Sequence, residues 1–397
     1  MRLLQGPRIV VLLLLISFAS ISAVLFTPSL PELAEFFHIS DSVAQQTMSV
    51  YLLGYTVGQL PYGPLANRFG RKRAIYIGLA FAFLGSLLCW QAPSFNWLLI
   101  GRFFQALGAA VGLKITFTMI GDSHEGSGAT KSLSYILLAF AVMPGLGVAI
   151  GGFLTTRFGW EGCFLFLAGY TVMLALLCYK LPETARHLDH EALQTKRIIQ
   201  GYFRQLRNPS IMLHSFLMGM GTSLIYVFAS EAPYLGIERI GLTPEMYGLY
   251  NLIPPLGIIV GLMASLRLAG RKSSRINMVS GILVIATGVL IMAVSFANGW
   301  LNPWTLFIPQ AIMMIGESLT FTNASSEALG EATDKSNASA IIQFINMGLG
   351  ALSTFIVSAL LPKEVMTVPT IFGAFTIISL GLWLRLKPHH RQSNHSS

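Results

Sequence analysis

Long apolar runs separated by short polar segments dominate the chain. A helix needs about 20 mostly apolar residues to cross the hydrocarbon core. Twelve stretches reach that length, at 8–30, 44–65, 74–92, 97–119, 132–154, 162–181, 211–234, 245–268, 276–297, 303–325, 338–361 and 367–385. Interior Gly and Pro are no objection, because membrane helices tolerate both. The first run follows Arg2 and Arg8 and carries small residues near its end. Its length and the eleven runs behind it favour a retained span over a cleaved signal peptide.

Composition agrees. Of the 397 residues 53% are apolar and 11% charged, against about 25% charged in soluble domains. A soluble enzyme, a nucleic-acid binder and a disordered chain all fit poorly. The expected fold is an all-α membrane protein with twelve transmembrane helices in two six-helix bundles. The net charge of +9 is a matter of placement. With the N-terminus in the cytoplasm, 21 of the 26 Lys and Arg fall in inner segments, while Arg157, Arg239 and Lys363 fall outside. That asymmetry predicts both termini in the cytoplasm, with the surplus facing anionic lipid rather than nucleic acid. Cys89, Cys163 and Cys178 lie in apolar runs and read as small buried hydrophobes.

Residues 182–210 break the pattern with a polar, mixed-charge stretch, in which 191–206 suits an amphipathic helix on the inner membrane face. The predicted organisation is a six-helix bundle over 1–181, a cytoplasmic linker over 182–210, a second bundle over 211–388 and a disordered tail over 389–397. The halves echo each other. Gly70-Arg71-Lys72 follows span 2, and Gly270-Arg271-Lys272 follows span 8 in the equivalent loop.

The whole chain resembles the major facilitator superfamily. The family's loop after span 2 reads Gly-x-Leu-Ala-Asp-Arg-x-Gly-Arg-Lys/Arg. Gly63, Leu65, Ala66, Arg68, Gly70, Arg71 and Lys72 match it, and Asn67 stands in place of Asp. The resemblance implies a gating loop whose cations sit against helix C-termini and acids of the other half, latching the inward-closed state. Within the superfamily the chain is most similar to the twelve-span drug:proton antiporters of the Bcr/CflA group. Three stretches carry this: Pro28-Ser29-Leu30-Pro31, Arg102-Phe103-Phe104-Gln105-Ala106-Leu107-Gly108 and Pro144-Gly145-Leu146-Gly147-Val148-Ala149-Ile150-Gly151-Gly152. Pro144, Gly147, Gly151 and Gly152 are accordingly expected to set helix packing. Val148 replaces a Pro of that motif, and Val24 stands about where the group carries an acid in span 1.

Ionisable side chains in hydrocarbon cost about 2.5–3.5 kcal/mol each at a helix centre, so each is a functional candidate. Arg102 and Gln105 share a face of span 4, where the cation can hydrogen-bond span 1 or an anionic substrate group. Lys114, twelve residues on, falls on a different stripe and is long enough to snorkel to inner headgroups. Glu317 lies mid-span 10 on one stripe with Gln310, placed to exchange a proton as access alternates. Glu231 lies near the outer end of span 7, where the plain reading is interfacial exposure; His214, at its inner end, reads the same way. Uncharged stripes add Tyr51, Tyr55 and Gln59 on span 2, Tyr226 on span 7, Tyr247, Tyr250 and Asn251 on span 8, and Gln343 and Asn346 on span 11. Together these suggest a midplane cavity between the halves.

No phosphate loop, catalytic triad or metal motif occurs in the sequence. The expected protein is therefore no enzyme and needs no cofactor. It is a monomeric secondary transporter of a small organic molecule in a bacterial inner membrane, most simply a proton-driven exporter. The alternatives are a carrier of an anionic metabolite or siderophore and, remotely, a non-transporting receptor.

Overall fold

A computed structural model describes residues 7–123, 127–185, 187–332, 334–360 and 364–386. The predicted tail and Lys363 lie outside the described residues, among which there is no strand.

The described residues form twelve helical rods. In the first half they are Pro7–Val24, Gln46–Gly58 continued by Tyr62–Phe69, Arg71–Trp90, Phe95–Ala109 continued by Val111–Ser123, and one run over Ser127–Cys178 that turns at Gly159 into spans 5 and 6. In the second they are Pro209–Pro233, Pro244–Tyr250 continued by Ile253–Leu268, Ser274–Ala297, Pro303–Gly330, Lys335–Leu360 and Thr367–Arg385. Among the described residues nine helices are long and apolar enough to cross a membrane by length and composition. Spans 5 and 6 count there as one, and spans 2 and 10 are not among them. The physical reason is visible in the sequence. Span 2 is interrupted around Pro61, and span 10 carries Gln310, Glu317, Ser318 and Thr320 on its buried side. Their polar atoms are turned inward, so hydropathy understates them.

The halves repeat one packing plan. Span 1 packs on span 5 as span 7 packs on span 11, and spans 2 and 3 pack on span 4 as spans 8 and 9 pack on span 10. Across the halves, span 2 meets span 11 and span 8 meets span 5. Large apolar side chains such as Leu176, Leu266, Leu360 and Ile377 remain more than two-thirds exposed. Such a belt suits lipid, and the chain is a multi-pass membrane protein.

Both Gly-Arg-Lys loops turn on a left-handed glycine, Gly70 at φ 95° and Gly270 at φ 77°. This conformation costs glycine little and other residues much. Among the described residues, the segments after spans 2, 6 and 8 carry the clustered Lys and Arg and mark the basic end.

The halves close on each other at the opposite, remote end. Gln45 Nε2 donates to the Ser230 carbonyl at 3.2 Å, and Ser49 Oγ donates to Thr354 Oγ1 at 3.0 Å. A Cβ on Gly152 would strike the Pro244 carbonyl, and one on Gly248 would lie 2.9 Å from the Val148 oxygen. Ties at the basic end are slighter. Lys114 Nζ reaches the Ser336 carbonyl at 3.3 Å, and Tyr202 of the linker donates to the Leu60 carbonyl at 2.9 Å.

Candidate functional site

Arg102 is fully buried within the first half. Span 1 ends at Val24, which leaves carbonyls of its last turn without helical partners. Arg102 uses them: NH1 donates to the Ser22 oxygen at 2.9 Å and NH2 to the Ala23 oxygen at 3.3 Å. The negative end of the helix dipole favours a cation there. NH1 also donates to Gln105 Oε1 at 2.6 Å, and Gln105 Nε2 donates to Ser86 Oγ at 2.8 Å. Phe26 and Tyr51 lie on either side of the guanidinium, each ring centre 4.1 Å from Cζ. Of the two sequence readings, this geometry realises the bond to span 1. Only Nε lacks a partner.

Tyr51 continues the network through Ser22 Oγ at 2.5 Å and the Ala19 carbonyl at 3.1 Å. Its ring stacks on Tyr55, with centres 6.4 Å apart. Tyr55 is likewise buried, one turn further along span 2, which packs against span 11 of the other half. Tyr226 of span 7 lies against Gly350 of span 11, where a Cβ would be 3.4 Å from its ring. Gln343 shares a stripe with Gly350 and Thr354, facing span 2, and Asn346 shares one with Gly350 and Ser353, facing span 7. Asn346 Nδ2 donates to Gln343 Oε1 at 3.1 Å. The Tyr55 hydroxyl, Gln59 Nε2 and Asn346 Oδ1 are buried without a geometrically sound partner. A junction of spans 2, 7 and 11 thus holds unspent polar groups and aromatic faces where the halves meet.

Glu317 does not join this junction. It borders a void of about 10 Å³ lined by Leu217, Met218 and Gly221 of span 7, Ile282 and Ile285 of span 9 and Ser379 of span 12. It is therefore inside the second half, with no cation in ion-pair range among the described residues. Gly221 makes the room, since a Cβ there would come 3.0 Å from Glu317 Cγ. Gln310 is buried two turns away, with Oε1 unpartnered.

Three expectations need correction. Glu231 and His214 are both buried, at 5% exposure, rather than interfacial; His214 Nδ1 sits 2.8 Å from the Ser210 carbonyl. Lys114 reaches the second half instead of headgroups, because the start of span 11 lies within its length. The gating loop finds its acids in its own half. Arg71 Nε bonds Asp122 Oδ2 at 3.0 Å, and its NH1 bonds Asn67 Oδ1 at 2.8 Å. Asn67 thus serves as a neutral acceptor. Glu183, just after span 6, accepts from the backbone N–H of Arg71 at 2.9 Å and Lys72 at 3.0 Å, capping span 3. Burial pushes the Glu183 carboxyl up, but donations from Ala185, Lys72, Arg71 and Thr184 outweigh it and hold it below the usual value. Arg68 pairs with His190 of the linker. Gly63 packs beside Lys114, where a Cβ would lie 3.5 Å from Cε. Arg271 and Lys272 of the second loop are exposed.

The glycines of span 5 serve two neighbours. Cβ atoms on Gly147 and Gly151 would press on Ile21 and Leu25 of the first half, and those on Gly145 and Gly152 on Pro255 and Pro244 of the second. Pro144 lies within the helix, immediately before Gly145 of this contact face. Sequence reasoning missed the amide chain of the second half, in which Asn277 donates to Asn323 Oδ1 and Asn323 donates to Ser265 Oγ, each at 3.3 Å. Polar residues inside three neighbouring spans were the available signal. A recess of about 720 Å³ at the remote end carries Glu32, Glu35, Asp41 and Glu238.

Two repeated bundles around an interfacial polar junction define a secondary transporter of the alternating-access kind. The model for the Major Facilitator Superfamily matches residues 12–357, and the chain belongs to that family. A transporter of Rickettsia bellii (strain RML369-C) without an assigned substrate is 30% identical, over 88% of this chain and 89% of its own. Multidrug resistance protein D of Escherichia coli (strain K12) is 27% identical over 89% of each chain. Among solved structures, a D-xylose-proton symporter superposes with a TM-score of 0.76 at 15% identity, covering 96% of this chain and 98% of its own. That likeness concerns the fold alone.

Proposed function

We propose that this transporter exports small, largely uncharged amphipathic molecules from the cytoplasm in exchange for protons, binding them at the junction of Tyr55, Gln59, Tyr226, Gln343 and Asn346. The observation that carries the reading is that buried polar atoms without a hydrogen-bond partner, on Tyr55 and Gln59 of span 2 and Asn346 of span 11, lie in the two spans through which the halves meet, beside aromatic rings. Buried polar groups are normally satisfied, so a ligand that supplies the missing bonds gains affinity. Relatives named as multidrug resistance proteins support the export direction. The Lys/Arg asymmetry supports a cytoplasmic basic end, with both termini on that side of a bacterial inner membrane. The proton gradient is the energy source in this reading, and a single chain holds the complete junction.

Glu317 is the proton carrier. It is buried, unpaired by any cation among the described residues, and adjacent to span 7, which also carries Tyr226. Movement of span 7 therefore changes the surroundings of both. Arg102 is a poorer candidate for an anionic cargo because its guanidinium is committed to Ser22, Ala23 and Gln105.

Reconstituted protein in liposomes with an acid lumen, assayed against a panel of neutral, cationic and anionic dyes, tests this reading. Uptake of neutral amphiphiles should follow the pH gradient, and Glu317→Gln should keep exchange of dye but lose the response to the gradient. Undiminished gradient dependence in Glu317→Gln would remove it from coupling. Preference for anions, abolished by Arg102→Ala, would replace the proposed substrate class.

A further inference from the structure

The linker helix Thr195–Leu206 presents three different faces. Gly201, Tyr202 and Gln205 lie against the protein. The Tyr202 hydroxyl donates to the Leu60 carbonyl at the break in span 2, and a Cβ on Gly201 would meet Asn337 Nδ2 of span 11 at 2.5 Å. The next arc holds Ile199 and Phe203, one turn apart and 47% and 57% exposed. The third holds exposed Lys196, Gln200, Arg204 and Arg207. No acidic residue occurs from 192 to 208. Arg197, also on this helix, is its one cation in an ion pair among the described residues, with Asp189 at 2.9 Å.

The position of the helix matters as much as its pattern. Its C-terminal end is separated from span 7 by Arg207 and Asn208 only, and Asn208 caps span 7 through Oδ1. The helix is thereby held at the level where the spans leave the membrane. An apolar arc flanked by a basic arc at that level suits the boundary between acyl chains and headgroups. Each cation near an anionic surface adds to the attraction.

We propose that this face docks on anionic phospholipid, with Ile199 and Phe203 entering the acyl boundary and Lys196, Arg204 and Arg207 gripping headgroup phosphates. Because the opposite face of the helix touches span 2 through Tyr202 and span 11 through Gly201, the docked helix forms a lipid-held strap across both halves at the basic end. Charge complementarity, with exposed cations beside an exposed apolar pair and no acid from 192 to 208, selects anionic lipid as the occupant.

The test uses the full chain in vesicles, with an environment-sensitive fluorophore on Phe203→Cys or, in parallel, Ile199→Cys. The native cysteines are buried, which makes labelling selective. Gln200→Cys is the water-facing control. In phosphatidylcholine–phosphatidylglycerol vesicles, labels at 203 and 199 should be blue-shifted and lose about half their emission to brominated acyl chains, with the control unaffected. In phosphatidylcholine alone, or after Lys196→Gln, Arg204→Gln and Arg207→Gln together, that quenching should fall about twofold. Water-like emission at both 203 and 199 would overturn the proposal. So would quenching indifferent to lipid charge, or protection that brominated chains cannot reach, the mark of a second protein copy on this face.

Discussion

Arg102 Cζ stands 4.1 Å from the ring centre of Tyr51, and among the described residues no carboxylate forms an ion pair with it. Its charge is spread instead over two aromatic faces and two carbonyls at the broken end of span 1. A desolvated cation–π contact is worth about 2 kcal/mol, and two such contacts plus the carbonyl bonds tie span 4 firmly to the end of span 1.

Arg102→Ala should therefore destabilise the protein by on the order of 2–4 kcal/mol, read as a lower melting temperature in detergent. Arg102→Lys keeps the charge but loses the planar fork, and should fall between the two. Tyr51→Phe gives up the hydroxyl bonds to Ser22 and Ala19 and should cost about 1 kcal/mol. An Arg102→Ala protein that melts with the parent would show that the cage contributes nothing.

Glu183 gives a pH signature. Its carboxylate is held below the usual value of 4.5 by four backbone donors. A group depressed on folding adds stability above its unfolded value, and that stability is lost as pH falls through the folded value. Melting temperatures of the parent should decline as pH drops below about 4.5, whereas Glu183→Gln should start lower at neutral pH and lack this share of the decline. Parallel curves for the two proteins would contradict the cap.

Span 5 separates packing from gating. Gly151→Ala forces a methyl into the Leu25 backbone within one half and should lower folding yield strongly; Gly147→Ala, with 3.3 Å to Ile21 Cα, should be milder. Gly152→Ala instead presses on Pro244 of the other half. It should leave each bundle folded but open the remote end, measured as faster thiol labelling of a cysteine placed at Ser49. Equal effects of the 151 and 152 substitutions on folding yield would refute the distinction.

Much of this architecture was legible in the sequence. Twelve runs gave twelve rods, because backbone satisfaction in lipid leaves helices as the natural solution, and the repeated Gly-Arg-Lys turns fall in equivalent loops with left-handed glycines. Interruptions were less visible. Gly159, at φ 69°, ends span 5 and lets span 6 begin with no polar loop between them. Partners distant in sequence were hidden. Nothing local shows that Arg71 meets Asp122 and Glu183, or that Lys114 crosses to Ser336. The stripe rule placed Glu317 and Gln310 on one face but could not say which neighbours that face meets, and so did not show Glu317 enclosed by spans 7, 9 and 12.

Closure at the remote end puts Ser49 Oγ 3.0 Å from Thr354 Oγ1, one residue from each half. The most direct measurement is transport by Ser49→Cys/Thr354→Cys with these two thiols first oxidised to a disulfide and then reduced. If the halves rock about their shared junction, the oxidised protein should be locked and inactive and reduction should restore flux. Full transport with the cross-link intact would contradict alternating access by this pair of bundles.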